Sequence, residues 1–138
     1  MKNLVAFLSL FWISISSYAF SCDKPVTGLH MNTYHFDRSA NYKEDNLGQY
    51  FRCENGFTAG SYKNSDWKHS DYIGYSFGWK NFEVMLGAVA GYKIEPIPVI
   101  VPSVKLPYLP IRVAYLPQAP NNTNNTTGWH VMLEANFN

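Results

Sequence analysis

Long apolar runs, charge of one sign and cysteines are all scarce in this chain, and each scarcity closes off a class of function. The longest apolar run, residues 4–15, is too short for a membrane-spanning helix. Eleven Lys and Arg stand against ten Asp and Glu, with no basic stripe to take up nucleic acid and no acidic tail to act as a solvating arm. Two cysteines, Cys22 and Cys53, have neither the spacing nor the partners of a zinc site. No stretch after residue 20 repeats with a helical period, which leaves strands as the default element.

What is present begins with an export signal. Lys2, the apolar run and Ser16-Ser17-Tyr18-Ala19 follow the n-region, h-region and cleavage-site order of a signal peptide. Cleavage is expected after Ala19, giving a signal at 1–19 and a single domain at 20–138. The competing lipoprotein site at Cys22 would need small residues where Phe20 stands. Loss of Lys2 leaves ten basic against ten acidic residues, a mature charge of zero. Export also puts both cysteines where oxidation favours a disulfide, which would tie the mature N-terminus to an early strand.

Aromatics make up 17% of the chain, ten of them tyrosine, and they are distributed among Gly-, Asn- and Pro-containing turn signals. Those signals divide the sequence into eight runs, at about 28–36, 46–53, 57–63, 70–78, 82–92, 99–105, 110–116 and 128–137. Eight short strands in sequence predict an all-β fold, an antiparallel up-and-down barrel of outer-membrane type. In the last run Trp129, Val131, Leu133 and Ala135 form one face and His130, Met132, Glu134 and Asn136 the other. The first run shows no such clean division. Phe137 gives the chain the aromatic ending typical of exported barrels, with Asn138 added after it, and residues 121–127 read as a polar, solvated loop.

Candidate chemistry rests on His30, His35, His69 and His130, with Ser39, Ser61, Ser65 and Ser70 near turns. A histidine on one rim strand can act as general base for a serine on a neighbouring rim loop. Because 30 and 35 differ by an odd number, a regular strand sends only one of the two histidines inward, unless a bulge intervenes. For each histidine the plainer assignment is a rim or surface residue.

Several segments resemble, in order, the PagP family of lipid A palmitoyltransferases. They are Thr33-Tyr34-His35, Lys63-Asn64-Ser65, Gly74-Tyr75, Leu86-Gly87 with Ala90-Gly91, the proline-rich 96–102 and Tyr115-Leu116-Pro117. The resemblance runs from about Thr33 to the C-terminus. It implies an eight-stranded outer-membrane barrel, monomeric, whose bore takes an acyl chain from a phospholipid donor and whose rim transfers it to a lipid A-type acceptor, with no metal and no cofactor. His35 matches the family's rim histidine and Ser65 its rim serine, whereas Asn64 stands at the position of its aspartate. An amide cannot supply the charge that steadies a protonated histidine, so Asn64 is expected to position the acyl group or the acceptor instead. Pro98 and Pro102 match the stretch where strand pairing is interrupted and lipid passes sideways. Ser76 stands where the family has a floor glycine, which implies a chain shorter than palmitate.

A second expectation keeps the fold and drops catalysis: a lipid-binding or surface-modifying barrel, carried by a mobile element such as a phage. A third is a soluble periplasmic barrel with a filled core.

Overall fold

The computed structural model describes residues 21–39, 41–92, 96–117 and 127–136. The predicted signal peptide, residues 121–126 of the polar loop and the terminal Phe137-Asn138 lie outside the described residues. Eight strands follow one another as β1 (Val26–His35), β2 (Asp45–Arg52), β3 (Phe57–Lys63), β4 (His69–Trp79), β5 (Phe82–Ala90), β6 (Ile97–Lys105), β7 (Ile111–Leu116) and β8 (Gly128–Asn136). Each pairs antiparallel with its sequence neighbours, and β1 pairs with β8, so the sheet closes into a barrel without free edges.

The described parts of the connections that follow β1, β3, β5 and β7 lie at one end of the barrel, the loop end. The shorter connections 53–56, 80–81 and 106–110, together with the start of β1 and the end of β8, lie at the turn end. There Cys22 and Cys53 are joined in a disulfide, which ties the segment before β1 to the end of β2.

Two local irregularities position the residues of interest. The register of β1 slips between His30 and Asn32 against both neighbours: against β8 Met31 is the extra residue of a bulge, and against β2 the extra residue falls at 46–47 of β2. Inward parity is thereby inverted, and His30 and His35 both face the interior, at 6% and 3% exposure. The expectation that only one of them turns inward is corrected, and the same slip explains why neither face of the first run reads as plainly apolar. The second irregularity is the seam between β6 and β7. These strands are in register only at Ser103↔Ala114, Val104↔Val113 and Lys105↔Arg112, at the turn end. Towards the loop end no further β6–β7 pair forms among the described residues, and there Pro98 and Pro102 lack the N–H a ladder requires.

The interior has two unlike walls. Met85 and Val89 of β5, Val99 and Val101 of β6 and Ala114 of β7 make an apolar side, while His30, Tyr50, Tyr72 and His130 make a polar one. Near the turn end a carboxylate plugs the bore. Glu134, its side chain inaccessible to solvent, accepts hydrogen bonds at Oε1 from Tyr50 (2.7 Å), Arg52 (3.0 Å) and Arg112 (2.7 Å), and Glu83 pairs with Arg52 at 3.1 Å. The outer face carries Leu29, Leu47, Ile73, Leu86 and Ile100, all exposed. Tyr115, Trp129 and Phe36 pack together near the loop end, and Phe51, Phe57 and Tyr75 near the turn end. A polar row, Gln49–Ser61–Asp71, crosses β2 to β4 in register on this face.

Candidate functional site

His35 is the last residue of β1, opposite Gly128 and one step beyond the outward pair Tyr34 and Trp129. Ser65 lies in the connection between β3 and β4. The barrel brings them together across the rim, with Ser65 Oγ 2.8 Å from His35 Nε2. In the tautomer that carries its hydrogen on Nδ1, the imidazole accepts the serine O–H at Nε2, the arrangement from which a hydroxyl is activated. His35 Nδ1 is buried and has no hydrogen-bond partner among the described residues. Tyr42 lies over the ring, its centroid 4.8 Å away at an interplanar angle of 31°. Burial holds the His35 pKa below the ordinary 6.5, and the nearby Glu44 carboxylate offsets part of that effect. That direction favours the neutral imidazole, the form that can take the serine proton.

Two rim loops meet over this pair. Lys43 N–H donates to Ser65 C=O at 3.2 Å, and Lys43 Nζ sits 4.5 Å from the Trp67 ring centroid. Trp67 is exposed and holds a left-handed backbone, φ 64°, an uncommon conformation for a bulky residue.

Asn64 has a different place from the one its sequence position implies. Its side chain is fully buried and points away from the imidazole into the turn. Nδ2 donates to Ser70 Oγ (2.9 Å) and to the Gly91 carbonyl (3.0 Å), and Oδ1 accepts the N–H groups of Asp66 and Lys68, each at 3.0 Å. Two donations and two acceptances are the whole capacity of a primary amide. Asn64 thus has none left for an acyl group or an acceptor, and it acts by shaping the turn that presents Ser65.

Neither the scan of protein-family models nor the search of curated proteins finds a match.

His35 and Ser65 open onto a bore cavity of about 140 Å³ that descends past His30 and Tyr72 to Arg52 and Glu83. That is close to the roughly 150 Å³ of a cavity that takes up benzene, and it accommodates only a slim group. Ser76 lines its turn end, with Oγ 2.9 Å from Thr58 Oγ1. Pro98 and Pro102 alternate with the inward Val99 and Val101, so their rings face out along that seam rather than into the bore. Below the rim runs a hydrogen-bonded chain with no direct sign in the sequence: Thr33 Oγ1 to His130 Nδ1 (2.8 Å), His130 Nε2 to His30 Nδ1 (2.8 Å), and His30 Nε2 to Tyr72 OH (3.0 Å). The inward parity of His130 in β8 was the available signal, and the bulge in β1 concealed its partner.

Among the described residues no group of three or more His, Cys, Asp or Glu side chains is arranged to hold a metal ion. Proton transfer between a hydroxyl and an imidazole is the chemistry the rim residues supply.

Proposed function

We propose that the chain is an outer-membrane barrel that binds a phospholipid acyl chain in its bore and transfers it to a lipid A-type acceptor at the loop-end rim. The observation that carries this reading is the Ser65–His35 hydrogen bond of 2.8 Å at the mouth of an internal cavity. A nucleophile, a base and a chamber for a slim apolar chain are the parts acyl transfer requires. The short β6–β7 pairing among the described residues supports it, because the apolar side chains of Val99 and Val101 line the bore beside the stretch of β6 that has no β7 pair among them. The outward Leu, Ile and Val band with aromatics towards both ends supports insertion in a bilayer. The small cavity favours a donor chain shorter than palmitate.

The test is mass spectrometry of lipid A from a Gram-negative host expressing the chain, beside Ser65→Ala and His35→Ala at matched levels in the outer membrane. A new acylated lipid A that disappears in both variants is expected. Unchanged lipid A from a folded, membrane-inserted protein would favour the second reading, a non-catalytic lipid-binding barrel. That reading draws on the absence of a carboxylate bonded to His35 Nδ1 among the described residues.

A further inference from the structure

Two cavities meet at the rim, and among the described residues His35 is the side chain common to both. One is the bore. The other is a rim cleft of about 430 Å³, whose wall includes Arg38, Tyr42, Lys43, Glu44 and Trp67. Ser65 lines the bore but not the cleft. The hydroxyl thus faces the chamber suited to a donor's acyl chain, while the imidazole serves that chamber and a polar one alongside it.

We propose that Ser65 carries the acyl group as a covalent ester between donor and acceptor, so that one histidine serves two successive displacements; this rests on the acyl-transfer reading above. Nε2 is already occupied by the serine hydroxyl at 2.8 Å. The first proton it takes is therefore that of Ser65, and an acceptor in the rim cleft has no free basic nitrogen until the serine has been consumed. In the first displacement Ser65 Oγ bonds to the carbonyl carbon of the donor ester and its proton passes to Nε2. The bond from that carbon to the glycerol oxygen breaks, and the Nε2 proton moves to the departing oxygen, releasing a lysophospholipid. In the second, a hydroxyl in the rim cleft gives its proton to the vacated Nε2 and attacks the acyl-serine carbonyl. Ser65 Oγ leaves and recovers the proton. Atoms balance, no electrons change hands, and the enzyme ends as it began. The rim cleft, with Arg38, Lys43 and Glu44 on its wall, suits a hydroxyl borne by a polar, charged head group rather than a second apolar chain.

The experiment uses the full barrel in detergent with dihexanoyl phosphatidylethanolamine, a short chain in keeping with the bore, as donor and no acceptor, then with purified lipid A added. Intact-protein mass spectrometry is expected to find a hexanoyl adduct at Ser65 alongside a stoichiometric burst of lysophospholipid, the adduct discharging when lipid A is added. Ser65→Ala should give neither. Ser65→Cys guards against a folding defect in the alanine variant, since it keeps a nucleophile and should form a thioester that neutral hydroxylamine cleaves. Transfer to lipid A by the wild type with neither adduct nor burst overturns the covalent intermediate and leaves acyl transfer standing. No transfer, adduct or burst from a folded wild type overturns both.

Discussion

At residue scale the rim is decided by which polar atoms are already taken. Asn64 spends both amide hydrogens on Ser70 Oγ and the Gly91 carbonyl. Asn64→Asp, which would place a carboxylate where the PagP family has one, sets an acceptor against that carbonyl and withdraws the hydrogen bond donated to Ser70 Oγ. Such a loss costs about 1–3 kcal/mol for a buried group. The variant is therefore expected to unfold at lower denaturant, with no gain in transfer; equal stability together with faster transfer would sink the view of Asn64 as a turn-former. His35 makes a second prediction. Only the neutral ring accepts the Ser65 proton, and burial keeps its pKa below 6.5. Transfer should hold at neutral pH and fall as pH drops through that lowered value, because protonation removes the base. A pH–rate profile flat across the acid range would remove His35 from that role. The pairing of His35 with Ser65 was legible in the sequence through motif order. The orientation of His30 was not, because parity assumes an unbroken strand and Met31 carries no mark of a bulge.

At the scale of elements, turn signals located all eight strands but misjudged where β6 starts. The run at 99–105 excluded Pro98, since proline normally ends a strand, yet β6 begins at Ile97 and pairs Pro98 with Ala88 of β5. Proline is tolerated where one side of the strand has no ladder to serve, and among the described residues β7 pairs with β6 only at 103–105. What sequence could not show is which ladder is cut short, because an interrupted ladder is a relation between two strands. If that seam admits lipid, supplying the missing N–H groups should narrow it. Pro98→Val with Pro102→Val is expected to lower transfer from bilayer phospholipid several-fold, while a small water-soluble fluorophosphonate still labels Ser65 at the wild-type rate. Equal losses in both assays would mean that the rim itself had been disturbed and the seam is not the route.

For the whole molecule, exposed Leu and Ile surround a bore that contains a buried ion network beside its apolar wall. Composition anticipated neither the network nor its place, because Arg52, Glu83, Arg112 and Glu134 are far apart in sequence and meet only when β1 closes on β8. Glu134 is its hub, accepting from Tyr50, Arg52 and Arg112 at one oxygen, with Lys105 3.7 Å from the other. Removing one member of a buried charge cluster leaves the others desolvated and uncompensated, at a cost of about 3–5 kcal/mol. Glu134→Ala leaves Arg52 and Arg112 to Glu83 and takes a carboxylate from Lys105, and should destabilise the barrel by about that much in guanidinium unfolding. The size of the loss alone would not distinguish charge from packing, since the truncation also opens a cavity. Glu134→Leu combined with Arg112→Met separates them: it keeps volume and removes one charge of each sign. The double variant should lose less than Glu134→Ala despite changing two residues, as expected for coupled neighbours. If instead the losses add, the floor is held by packing, and the ions are tolerated rather than required.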